Sequence, residues 1–216
     1  LAGETSGSLG GPYAGATDAW FAHIDSAGSR LWTRQIGTTG GEQVRGLASD
    51  GRGGIFVAGF TAVTTGNYSW FARFDGAGSE VWLRLFMPGS FFFALAPDNV
   101  GGFFAAGSTA TSLGGPYMGA TDAWVGRFHP DGDLIWARQL GTTMGDWAQG
   151  LATDGRGGVF VTGMTMGSLF GPHLGESDGW VARYDGLGNQ LECRQFGTPL
   201  ADGAGPVVRD GLGGLF

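Results

Sequence analysis

Three stretches of this sequence set an aromatic ring and a carboxylate at matching places in glycine-rich loops. They read TSGSLGGPYAGATD (Thr5 to Asp18), TATSLGGPYMGATD (Thr109 to Asp122) and TMGSLFGPHLGESD (Thr165 to Asp178). Each offers a ring after Gly-Pro, namely Tyr13, Tyr117 and His173, and each closes on an acid, Asp18, Asp122 or Asp178. Rings beside carboxylates suit sugar binding, the ring stacking on a CH face while the acid accepts hydroxyl hydrogens. The competing reading is structural: Gly-Pro-Tyr shapes a long turn, and the Asp orients the strand that follows. Trp147, next to Asp146 where an earlier stretch has Glu42-Gln43, reads as an exposed ring in a loop on the same side. These seven residues are the candidate ligand site.

A second set of acids recurs in Asp-x-x-Gly turns: Asp50, Asp98, Asp154 and Asp210 in one series, with Asp25, Asp75, Asp131 and Asp185 near the other. Recurring carboxylates invite a calcium reading. The spacing lacks the D-x-D-x-D-G run and distal Glu of an EF-hand loop. Turn chemistry accounts for both residues, since Asp bonds the local backbone and Gly takes positive φ. His23, His129 and His173 occupy three different positions and cannot form a symmetric metal site. G-x-S-x-G, H-E-x-x-H and P-loop motifs are absent from the sequence. No catalytic residue and no cofactor are therefore predicted, calcium standing as the alternative.

What holds such loops is a repeat. Asp-x-x-Gly-Gly ends at Gly54, Gly102, Gly158 and Gly214, at spacings of 48, 56 and 56 residues. After each pair comes an apolar stretch, then a loop, then a Trp-centred stretch (DAWFAHID, YSWFARFD, DAWVGRFH, DGWVARYD), a second turn, and a fourth stretch such as EVWLRLF. Segments of six to eight residues, rich in Phe, Trp, Val and Ile and bounded by Gly and Asp, read as strands. In one of them Trp70, Ala72 and Phe74 alternate with Phe71 and Arg73. Four-stranded units of about 50 residues in tandem predict an all-β chain, a β-propeller of four-stranded antiparallel blades.

The runs DGRGGIFVAGFT and DAWFAHIDSAGSRLW resemble the bacterial SBBP β-propeller repeats, and the resemblance extends over essentially the whole chain. The Asp75, Gly78, Trp82 run is also similar to the docking motif of quinoprotein blades. The SBBP resemblance implies a bacterial propeller, usually of secreted or surface proteins, with no single activity attached. Trp32, Trp82 and Trp136, with Glu192 in the fourth unit, and Trp20, Trp70, Trp124 and Trp180 read as packing residues. Arg34, Arg84, Arg138 and Arg194 are expected to pair with turn carboxylates or to cover rings.

Joining Phe216 to Leu1 restores the repeat phase, which predicts four blades with strand b of one blade completed by both termini. The blades are then 197–216 plus 1–36, 37–86, 87–140 and 141–196 of a single propeller domain, with self-association through the chain ends as an alternative. An excerpt of a longer array is the other reading. Glycine makes up 45 of 216 residues, yet 42% hydrophobic and 13% aromatic content argues against disorder. All 12 basic residues are Arg and the net charge is -7, which disfavours nucleic acid. A lone Cys193 forbids an internal disulfide, and no apolar run reaches the ~18 residues of a membrane span. The expected function is a non-enzymatic, extracellular or cell-surface (alternatively periplasmic) module that binds a protein or a glycan. Lectin-like binding is the main alternative, and a piece of a quinoprotein-like enzyme comes last.

Overall fold

The computed structural model describes residues 1–63 and 66–216. It contains strands and no helix among the described residues. The first sheet has three strands, β1 (Ala2–Thr5), β2 (Asp18–Ile24) and β3 (Arg30–Ile36). The second has β4 (Gly41–Ser49), β5 (Ile55–Val63), β6 (Gly66–Phe74) and β7 (Glu80–Leu85). The third has β8 (Ser90–Pro97), β9 (Phe103–Thr109), β10 (Asp122–Phe128) and β11 (Leu134–Leu140). The fourth has β12 (Asp146–Thr153), β13 (Val159–Thr165), β14 (Asp178–Tyr184) and β15 (Gln190–Phe196). Strands neighbour one another in sequence order in every sheet, the antiparallel meander of a propeller blade. The fold is all-β and of the β-propeller type.

The chain divides into two compact units, Leu1–Phe92 and Phe93–Phe216. In the first, Phe21, Val57, Trp70, Ala72 and Phe74 form the centre of the core. In the second, Phe104, Val125, Val161, Trp180 and Tyr184 do so. Each fully buried ring contributes on the order of 2 kcal/mol of apolar burial. Phe71, on the opposite face of β6 from Trp70, is buried as well, so this strand packs on both sides. Trp20 is only half-buried, unlike Trp70, Trp124 and Trp180.

Two local features recur along the strands. The turn between the first two strands of a blade needs left-handed backbone, supplied by Gly51 (φ 71°) and Gly53 (φ 90°) and, in the third blade, by Asn99 (φ 63°). Ladder shifts at Val44/Gly46 and Ala148/Gly150 bring the facing strand very close. A Cβ on Gly163 would lie 1.9 Å from the Trp147 carbonyl oxygen, so only glycine fits there.

Successive blades within a unit dock through the turn after the Trp-bearing strand. Trp32 Nε1 donates to Gly76 O at 2.9 Å, and Arg34 Nε donates to Gly78 O. In the second unit Trp136 Nε1 donates to Gly186 O at 3.0 Å. Arg34 and Arg138 lie over the faces of Trp32 and Trp136. These arginines cover rings, as expected, while the turn carboxylates Asp50, Asp98 and Asp154 pair with Arg73, Arg127 and Arg183 one strand earlier.

Candidate functional site

The three long loops are built alike, from a network that begins one strand away. Gln35 on β3 faces Trp20, and its amide reaches up into the first loop. Its Oε1 accepts from the amides of Leu9 (2.8 Å) and Gly10 (3.1 Å). Its Nε2 donates to Gly7 O (3.0 Å) and to Asp18 Oδ2 (2.7 Å). The same Oδ2 accepts from Ala14 N at 3.1 Å. Gln139 and Asp122 repeat the arrangement with Leu113, Thr111 and Met118. Gln195 and Asp178 repeat it with Leu169, Gly167 and Leu174.

Asp18, Asp122 and Asp178 are all 0% exposed. They sit beneath the loops as anchors, with Oδ2 used twice and Oδ1 without a hydrogen-bond partner. Burial opposes ionisation of Asp178, but the bond from Gln195, the Leu174 amide and the nearby His173 outweigh it and hold the carboxyl below its usual range. The rings are what the loops present. Tyr13 and Tyr117 are each 41% exposed, and His173 is exposed. Tyr13 Oη donates to Ala16 O and Tyr117 Oη to Ala120 O, both at 2.9 Å, so each phenol tip is tied to its own loop. The backbone amides of Tyr13, Tyr117 and His173 all donate to a serine hydroxyl, of Ser8, Ser112 and Ser168 respectively.

The last residue before each anchoring Asp bonds to the segment that follows its own sheet. Thr17 pairs in parallel with Gly41, Thr121 with Gly145 and Ser177 with Ala201. Thr38, Thr142 and Thr198 each donate amide and hydroxyl hydrogens to the acid four residues on, Glu42, Asp146 or Asp202. Asp146 is completely buried. That burial pushes its carboxyl above the usual range, with the Asp122 charge adding to the shift and bonds from Thr165 and Thr142 opposing it. Trp147 is not in a loop. It is the second residue of β12, half-buried, with its ring against Gly145, because the ladder to β13 begins already at Asp146.

Among the described residues the second blade has neither the long loop nor its Asp and Gln. Its connection, Thr61 to Tyr68, runs mostly as a continuation of β5 and β6, paired out to Val63 and Gly66, and Thr64 and Thr65 lie outside the described residues. Tyr68 stands where the others have Asp, and Leu85, opposite Trp70, stands where they have Gln. The recurring Arg-Gln pair of RQI, RQL and RQF, broken to RLF in this blade, is the sequence signal that identifies the glutamine anchors.

The second series of turn acids bonds its own turns. Asp25, Asp75 and Asp185 each accept two turn amides through Oδ1. Among the described residues no group of three His, Cys, Asp or Glu side chains could hold a metal ion. Two clefts flank the C-terminal segment of the second unit. One is lined by Phe160, Arg183, Glu192 and Arg194, the other by Leu95, Leu151 and Val208, and neither includes a candidate residue.

Tandem antiparallel blades, docked by Trp to a glycine turn, define a repeat protein of the propeller class. Residues 135–171 match the SBBP beta-propeller repeat family. A protein of unknown function from Bacteroides caccae, solved as a crystal structure, shares the fold with a TM-score of 0.54 at 14% identity. The similarity covers 99% of this chain and 63% of that one, so this chain spans less than two thirds of its neighbour's length. No curated protein matches the sequence.

Proposed function

We propose that this chain is a non-enzymatic binding module whose long loops each present one ring, Tyr13, Tyr117 or His173, to a partner outside the cell. The observation that carries the reading is the joint presence of loop, Gln and Asp in three blades and their joint replacement in the second. A clamp of buried charge-assisted bonds under an exposed loop is more than chain reversal requires, since a hairpin needs two to five residues. Rigid loops lower the ordering cost of binding. Repetition lets contacts of about 1 kcal/mol per ring add through multivalency.

A glycan is the second reading, favoured by the tethered phenol tips, which leave the ring as the surface the loop offers. The buried acids do not take part in it; ligand hydroxyls would be met by loop backbone and, beside His173, by Glu176 three residues on. Fluorescently labelled parent protein is tested on a glycan microarray and on immobilised bacterial surface proteins. The Tyr13→Ala/Tyr117→Ala variant should lose at least tenfold in apparent affinity with an unchanged melting temperature. Equal binding by parent and variant refutes the site.

A further inference from the structure

Four of the chain's five methionines, Met118, Met144, Met164 and Met166, gather at one end of the β12–β13 pair. Trp147 stands directly opposite Met164. The ladder runs one step beyond Asp146 and Thr165, because Met166 N donates to Gly145 O at 2.9 Å. Gly145 therefore faces Met166 as Trp147 faces Met164. Residues directly opposite one another, and residues two apart on one strand, share a face of the sheet, so Trp147, Met164 and Met166 lie on one face together. The Trp147 ring lies back over Gly145, where a Cβ would be 2.3 Å from its Cη2. The indole thus extends along the row from the Met164 pair to the Met166 pair.

The other two methionines flank the same turn. Met144 immediately precedes Gly145, and Met118 precedes Gly119, whose Cβ would lie 2.5 Å from the carbonyl oxygens of Thr142 and Thr143. Met118, Met144 and Met166 are exposed, while Met164 and Trp147 are half-buried, so the cluster opens to solvent. The scaffold does not require these side chains. The second sheet keeps the same register with Gly41 opposite Ala62 and Gln43 opposite Phe60, and it carries Gly40 in the place of Met144. A blade of this kind therefore forms without sulfur at any of the three positions.

We infer that Met144, Met164 and Met166 bind one soft monovalent cation, Cu(I), with the Trp147 indole against it. A thioether is a soft, uncharged donor, and soft sulfur ligands select Cu(I) over the harder divalent ions. An indole face attracts a cation and shields it from water. Met118 borders the site from the adjoining loop. Thioethers carry no proton to lose, so binding holds between about pH 5 and about pH 8, whereas a histidine or cysteine site would release its ion on acidification.

The test uses the full chain carrying Cys193→Ser, so that its lone thiol does not compete. Anaerobic titration with Cu(I) against a chromogenic chelator should give one ion per chain with quenching of tryptophan fluorescence, and Zn(II) should give neither. Met164→Leu/Met166→Leu keeps volume and apolarity and should weaken Cu(I) binding about 100-fold or more. Met166→Leu alone, at an exposed position, should weaken it about tenfold, and Trp147→Phe should remove the quenching. Circular-dichroism melting of each variant without metal establishes that the fold is retained. Absence of stoichiometric Cu(I) binding overturns the inference. So does binding that the double variant leaves unchanged, or binding that is lost when the pH is lowered from about 7 to about 5.

Discussion

Gln139→Leu tests the loop anchor by installing in the third blade the residue that the second blade carries at Leu85. The substitution removes a 2.7 Å bond to Asp122, a carboxylate with no exposure, and three bonds to the loop backbone, from Leu113 N and Gly114 N and to Thr111 O. A bond to a buried charge contributes ~1.5–3 kcal/mol, and the exposed loop groups regain water, so the expected loss is about 3 kcal/mol. For a chain of this length that lowers Tm by roughly 6–12 °C. If the loop opens locally before the fold is lost, the same energy appears as increased loop opening, about 100-fold by the usual conversion. Chymotrypsin cleavage after Tyr117 measures that opening, and calorimetry measures the melting. Leu85→Gln is the control, since Leu85 is 67% exposed and has no loop to hold, and it should stay within about 0.5 kcal/mol of the parent. Parent-like melting and parent-like cleavage of Gln139→Leu would refute the anchor.

Arg183→Leu should cost about 2–3 kcal/mol near neutral pH, because it leaves Asp154 charged and 7% exposed without its 2.8 Å partner. Burial alone would raise the Asp154 carboxyl, but Arg183 and the Arg156 and Gly158 amides lower it overall. The contribution is therefore present above the ordinary carboxylate range and lost as pH falls through the depressed folded value, so urea titrations of parent and variant should converge below about pH 4. Asp146→Asn has the opposite sign. A carboxyl raised by burial and by Asp122 destabilises the fold once ionised, so the variant should match or exceed the parent at pH 8, its relative advantage fading as the pH falls into the acid range. A variant that loses more stability at pH 8 than at pH 5 would contradict this.

The strands, their order within each sheet and the positions of the turns follow from sequence, because glycine pairs, Asp-x-x-Gly turns and aromatic alternation act over a few residues and recur in phase. The long loops and their rings are legible for the same reason. The acids at the loop ends are not, since Asp18, Asp122 and Asp178 look alike in sequence whether they face a ligand or the interior. Only the fold shows a glutamine 17 residues on reaching the same oxygen in each case. Likewise the Arg34 series was open to two roles, pairing with turn carboxylates or covering rings; the fold gives it the rings and brings Arg73, Arg127 and Arg183 to the carboxylates. Trp147 looks exposed as a loop residue and is half-buried because β12 starts one residue before it. Local conformational preference is written in short stretches of sequence. Which of several identical donors meets a given buried carboxylate depends on strand register, and register is decided only when the sheets pack.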